Sequence, residues 1–177
     1  MRRLLLLRHG KAAREAGGGD TERPLTKRGR EDVARVGEYL ARERMIPNLA
    51  VASDARRTRE TLNCVAEAMG KNCKIIFDPD LYLAEDSTLL VELHKTPDIV
   101  RTMLVVGHNP GLADFAERMT GASDPTVKRR LEMKYPTGAL AIFDFDAPTW
   151  GSIAWGSGKL VDFITPSMLS ADAEDTD

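Results

Sequence analysis

Four leucines in succession, Leu4 to Leu7, stand near the start of the chain and end at Arg8-His9-Gly10. A short apolar run without polar alternation, stopped by cations and a glycine, predicts a strand buried on both faces that delivers Arg8 and His9 to its carboxyl end. Two further runs have the same form. Leu49-Ala50-Val51-Ala52 empties into Ser53-Asp54-Ala55-Arg56-Arg57, and Leu104-Val105-Val106 into Gly107-His108-Asn109-Pro110-Gly111. Open α/β sheets bind ligands beyond the carboxyl ends of their strands. His9, His108 and the neighbouring arginines are therefore candidates for chemistry.

Between the strands the period changes to that of helices. Val33, Val36, Gly37, Leu40 and Ala41 fall at i, i+3, i+4, i+7 and i+8, with Thr26 placed to cap the helix and Glu31/Arg35 and Glu38/Arg42 expected to pair on its outer face. A second helix is expected over Arg56–Met69, stopped by Gly70, and a third strand over Lys74–Phe77. Helices over 87–94 and 110–119 flank a strand over 103–106. The stretch 138–145 and the runs near 153–155 and 160–164 predict short strands in a hairpin or meander at a sheet edge. Residues 11–23 hold three consecutive glycines and no apolar period, which predicts a mobile loop over the end of the first strand. The whole predicts a three-layer α/β/α sandwich with a largely parallel central sheet. Residues 1–165 are expected to form one domain, and 166–177 an acidic, flexible tail with nothing to bury.

Composition narrows the choice of partner. At 177 residues and 42% hydrophobic the chain can bury one sizeable core, and a formal charge of −2 gives no overall basic footprint for nucleic acid. Arg2-Arg3 before four leucines superficially resembles a secretory signal, but Arg8 ends the apolar run short of the roughly 7–15 residues such a region needs. No segment approaches the roughly 20 apolar residues of a membrane span. A cytoplasmic protein with neither membrane nor nucleic acid as partner is expected. Cys64 and Cys73 lack a zinc-type spacing and are expected to be reduced, partly buried thiols. A site rich in imidazole and guanidinium, with no cluster of acids or cysteines beside it, suits a phosphoryl group better than a metal or a carbonyl. No metal and no cofactor is called for.

Three motifs in order, Arg8-His9-Gly10, Ser53 through Thr61 with its arginines, and Gly107-His108-Asn109-Pro110, together resemble the histidine phosphatase superfamily, the phosphoglycerate-mutase-like phosphatases. Pro24-Leu25-Thr26-Lys27-Arg28-Gly29 is similar to the opening of that family's first helix. In length and texture the chain is most similar to the compact SixA-type phosphohistidine phosphatases. The resemblance implies a phosphoglycerate-mutase-like fold and a phosphatase that works through a phosphohistidine on His9. Arg8, Arg57 and His108 would hold the phosphoryl oxygens, with Arg23 as a fourth ligand and Gly10 and Asn109 beside the substrate. Arg57 is selected by its place four residues after Ser53, and Arg56 is its rival. Thr58-Arg59-Glu60 departs from the Ala-x-Gln of many relatives. Gly10 is expected because a side chain there would crowd the phosphoryl group or the turn.

Ester-cleaving members of the superfamily use a carboxylic acid to protonate the leaving group. Glu85 and Asp86 lie in roughly the right part of the chain for that role, although a solvated loop that caps the next helix accounts for them equally well. Phosphohistidine expels neutral imidazole and depends less on an acid. The favoured substrate is accordingly a phosphohistidine-bearing signalling or phosphotransfer protein, with inorganic phosphate as product. The alternatives are a phosphomonoesterase acting on a small phosphoester and, from another class, a non-catalytic phosphate-binding interaction module. His94 has no motif around it and is expected to be structural or at the surface.

Overall fold

The computed structural model describes residues 1–174. Strand β1 (Arg2–Arg8) is followed by α1 (Lys27–Arg42), β2 (Leu49–Ala52), α2 (Arg56–Met69), β3 (Lys74–Phe77), α3 (Asp86–His94), β4 (Thr102–Gly107), α4 (Gly111–Met119), β5 (Thr120–Ser123), α5 (Pro125–Met133), β6 (Leu140–Phe145), β7 (Gly158–Ile164) and α6 (Pro166–Glu174). The strands form one sheet in the order β3-β2-β4-β1-β6-β7-β5. Its first four strands are mutually parallel, and β6 runs antiparallel to both β1 and β7.

The four leucines of β1 show why the sheet needs two helical layers. Successive side chains of a strand point to opposite faces. Leu4 and Leu6 enter one core with Leu89, Leu93, Leu112, Phe115 and Leu131 of α3, α4 and α5. Leu5 and Leu7 enter the other with Val33, Val36, Leu40, Leu62 and Val65 of α1 and α2. All four are fully buried. Truncating one of them to Ala costs about 2–5 kcal/mol on the general scale of core cavities.

Most predicted boundaries stand within a residue or two. Thr26 caps α1 by accepting from the Gly29 N–H at 3.0 Å. Gly70 ends α2 in the left-handed conformation (φ 66°) that favours glycine. Four expectations need correction. On α1, Arg35 pairs with Asp32 and Arg42 with Glu43, and Lys27 approaches Glu31, in place of the expected pairs. The β6–β7 hairpin lies beside the central strand β1, and 153–155 forms no strand. The sheet edge on that side is β5, which with α5 was not expected at all. Residues 166–174 form α6, whose Leu169 is buried in the core with α1 and α2. The last three residues of the expected tail lie outside the described residues.

Cys64 and Cys73 are half-buried free thiols, raised above their usual pKa by burial. Among the described residues, no helix is long and apolar enough to cross a membrane, and no cluster of His, Cys, Asp and Glu is disposed to hold a metal ion.

Candidate active site

The helix after β1 packs on one face of the sheet and the helix after β4 on the other, so a crevice opens where these two neighbouring strands end. It is a cleft of about 540 Å³ lined by Arg8, His9, Lys11, Ala12, Asp20, Arg23, Arg57, Tyr82, Leu83, His108, Asn109 and Thr137. Four cationic side chains and one carboxylate share it, a balance that suits an anion.

His9 is buried in the turn that leaves β1. Its Nδ1 lies 2.8 Å from the Gly10 carbonyl. A carbonyl only accepts, so the hydrogen sits on Nδ1 and the Nε2 lone pair is free. Burial, reinforced by Arg57, Arg8 and Arg23, lowers the ring to about 4, which keeps it neutral at pH 7. The turn is tied to α2 because the Gly10 N–H donates to Thr61 Oγ1 at 3.0 Å and Thr61 donates to the Arg57 carbonyl at 2.7 Å. A Cβ on Gly10 would stand 2.8 Å from the Gly29 carbonyl and 3.0 Å from Val33 Cγ1. Of the two expected reasons for this glycine, the crowded turn is the one these contacts bear out.

The structure brings together Arg8, His9, Arg23, Arg57, His108 and Asn109. Arg57 is buried at 2% exposure and donates to Asp20 through Nη1 (2.9 Å, to the carbonyl) and Nη2 (3.1 Å, to Oδ2). Its rival Arg56 is exposed and pairs with Glu60 at 3.2 Å. Arg8 donates to the Tyr135 carbonyl at 2.9 Å, as does Asn109 Nδ2 at 3.0 Å, and Asn109 Oδ1 accepts from the Ala113 N–H. Asn109 thus spends both ends of its amide on backbone. Glu60 accepts from the Leu25 N–H at 3.1 Å, anchoring the segment before α1. His108 is buried, its Nε2 2.6 Å from Ser53 Oγ, and it is lowered to about 3 by burial and then by His9 and Arg57. Arg8 Nε, Arg57 Nε and His108 Nδ1 are buried with no partner. All three belong to residues that line the cleft, and Arg2 Nε and Arg130 Nε are in the same state away from it.

Glu85 and Asp86 are not part of the cleft. Asp86 pairs with Arg118 at 2.8 Å and turns its other oxygen to the Ser87 N–H at the start of α3. The carboxylate that does line the cleft is Asp20, which sequence reasoning missed. It accepts from Arg23 Nε at 2.9 Å and from Arg57, and in a short contact from the Tyr82 hydroxyl. The Tyr82 bond first, and then the two arginines, hold it ionised, down to about 2. Tyr82 was missed as well. It stands edge-on to His108 at 5.4 Å and lies under the Arg57 guanidinium. The one signal for Asp20 was an acid three residues before Arg23 in a loop expected to cover the site. His94 is structural, its Nε2–H donating to the Ile153 carbonyl at 2.7 Å.

The profile of the histidine phosphatase superfamily (branch 1) matches residues 4–82. An uncharacterized protein of Mycobacterium tuberculosis is 31% identical over 162 residues, 90% of this chain and 99% of its own length. Two solved structures are similar throughout. One, provisionally assigned as the phosphohistidine phosphatase SixA of Nakamurella multipartitia, has a TM-score of 0.81 at 27% identity, covering 93% of this chain and 96% of its own. The other carries the same provisional assignment from Agrobacterium tumefaciens, with a TM-score of 0.78 at 29% identity over 93% and 98%. With His9, Arg57 and His108 converging on one cationic cleft, the chain belongs to the histidine phosphatase superfamily (branch 1), in its SixA-type branch, and is a hydrolase of the phosphatase kind.

Proposed function

We propose that this phosphatase removes phosphate from phosphohistidine on a signalling or phosphotransfer protein, through a phosphohistidine formed on His9. His9 Nε2 attacks phosphorus in line, the bond from phosphorus to the substrate nitrogen breaks, and its electron pair stays on the departing imidazole. Water then attacks the phosphoenzyme, returning the electron pair to His9 and releasing inorganic phosphate. Arg8, Arg57 and His108 hold the equatorial oxygens, Arg23 supplies a further cation from the loop, and no metal ion takes part.

The observation that carries the choice of substrate is the state of Asp20. Among the described residues it is the carboxylate lining the cleft, and Arg23, Arg57 and the Tyr82 hydroxyl all donate to it, which favours its ionised form. An ester needs a proton for its alkoxide, and an ionised carboxylate has none to give. Phosphohistidine protonated on its other ring nitrogen leaves as neutral imidazole. The short connection between β3 and α3 is occupied by Tyr82 and Leu83 at the rim and adds no domain over the cleft, which suits a substrate presented by another protein. Reduced, half-buried thiols accord with the cytoplasm.

The test compares kcat/KM on a phosphohistidine-bearing phosphotransfer protein with kcat/KM on simple phosphomonoesters, using His9→Ala as the blank. A preference for the phosphoprotein of at least tenfold is expected, with no acid-labile phosphoenzyme in the variant. A preference for esters would replace the substrate class, and activity retained in His9→Ala would remove His9 as nucleophile.

A further inference from the structure

His108 is held from behind the cleft by two hydroxyls that no step above uses. Ser53, directly after β2, and Thr58, in the first turn of α2, are both fully buried. Ser53 Oγ lies 2.6 Å from His108 Nε2 and 2.7 Å from Thr58 Oγ1. Thr58 Oγ1 in turn lies 2.9 Å from the Ser53 carbonyl and 2.8 Å from the Ala55 carbonyl.

Counting hydrogens orders this chain. The Ala55 carbonyl already accepts from the Thr58 and Arg59 N–H groups at 3.1 and 3.0 Å. The buried Ser53 carbonyl depends on the Thr58 hydroxyl, and leaving a buried carbonyl unpaired is costly. Thr58 therefore gives its single hydrogen to backbone. Ser53 then donates to Thr58 Oγ1, and its own oxygen is left to accept from His108 Nε2–H. A neutral His108 with its hydrogen on Nε2 carries a lone pair on Nδ1, the atom that is buried without a partner.

We infer that Ser53 and Thr58 fix His108 as an acceptor at Nδ1, so that the site takes up one proton, on that nitrogen, when it binds a doubly charged phosphoryl group. The inference rests on the reading of the cleft as a phosphoryl site. A lone pair turned toward a phosphoryl oxygen repels it, whereas a proton placed between them makes a charge-assisted hydrogen bond. The groups that bear on His108 are His9 and Arg8 from the end of β1, Arg57 from α2, Tyr82 from the β3–α3 connection and Asp20 from the loop. With the cleft empty, burial and the cations keep the ring neutral. A bound dianion reverses that balance, and the proton comes from solvent. Ser53 and Thr58 are positioning residues in this account.

His9 is the other imidazole able to take a proton, so the test is made in His9→Asn. Sulfate, doubly charged throughout the neutral range, is titrated calorimetrically in two buffers of different protonation enthalpy. Uptake of about one proton per sulfate is expected, with Kd rising about tenfold per pH unit between pH 5.5 and 6.5. Adding His108→Asn, Ser53→Ala or Thr58→Val should each bring the uptake below half a proton and flatten that dependence. Sulfate binding without proton uptake in the His9→Asn parent would overturn the inference while leaving the phosphoryl site in place. Uptake unchanged by both Ser53→Ala and Thr58→Val would remove the hydroxyl chain from it. No sulfate binding at all would overturn the site reading and the inference together.

Discussion

The imidazole rings of His9 and His108 face each other with centroids 5.4 Å apart and planes inclined by 55°. Their meeting is a matter of register. Strands β1 and β4 are parallel neighbours with Arg8 opposite Gly107, and the His9 N–H donates to the Gly107 carbonyl at 3.2 Å. The next residue on each strand therefore stands beside the other, and two side chains nearly a hundred positions apart reach one cleft without a loop to place them.

Arg57 and Arg56 should separate cleanly under conservative substitution. Arg57 is buried and gripped by Asp20 through two nitrogens, a fork that a lysine cannot reproduce. Arg57→Lys is expected to lower kcat/KM by about 10²–10³-fold, the usual effect of removing one such donor. Arg56→Lys, changed at an exposed pair with Glu60, should stay within about twofold. Steady-state rates on either substrate class check this, and the reverse order would exchange the two residues.

Glu85→Gln and Asp86→Asn should leave both phosphohistidine and ester cleavage within about twofold of the parent, since neither side chain lines the cleft. A loss confined to esters and larger than tenfold in either variant would restore a general acid on this segment.

Gly10→Ala places a methyl group against the Gly29 carbonyl and Val33, both part of the packed start of α1. A destabilisation of about 1–3 kcal/mol is expected from overpacking, visible as a lower denaturation midpoint. Loss of turnover at unchanged stability would show instead that the methyl group blocks the phosphoryl position.

Acid should unfold the free protein through its two site histidines. Both fold with pKa values below 6.5, about 4 for His9 and about 3 for His108. The unfolded chain binds protons first, so stability is complete above about pH 6.5 and falls as the pH drops, until the folded rings protonate in turn. The slope is at most about 1.4 kcal/mol per pH unit for each ring. Denaturation midpoints measured from pH 7 to pH 4 should decline less steeply in His108→Asn. An equal decline in the variant would place the acid sensitivity elsewhere.

The strand ends were legible because a fully apolar run has one reading when cations and glycine stop it. That pattern places Arg8, His9 and His108 at strand ends and leaves Arg56 and Arg57 as rivals, between which the family resemblance decides. Asp20 and Tyr82 were not legible, since each reaches the cleft from an aperiodic segment whose path depends on contacts made by the rest of the fold. Glu85 and Asp86 lie only three and four residues beyond Tyr82, yet neither lines the cleft, and the turn into α3 carries Asp86 to Arg118. For α5 a signal was present and passed over. Asp124 caps the helix by accepting from the Thr126 N–H at 2.8 Å, and Pro125 occupies its first position. The tail was misjudged on composition, which outweighed the single buried Leu169.

The burial of Leu4 to Leu7 between both helical layers bears on how the enzyme moves. Amides in such a strand exchange with solvent only when the whole domain opens, so His9 is anchored to the least yielding part of the molecule. Arg23 and Asp20, by contrast, are carried on the glycine-containing loop over the strand end. The cleft is thereby divided between an anvil set by the sheet and a jaw held by side-chain bonds to Arg57 and Tyr82.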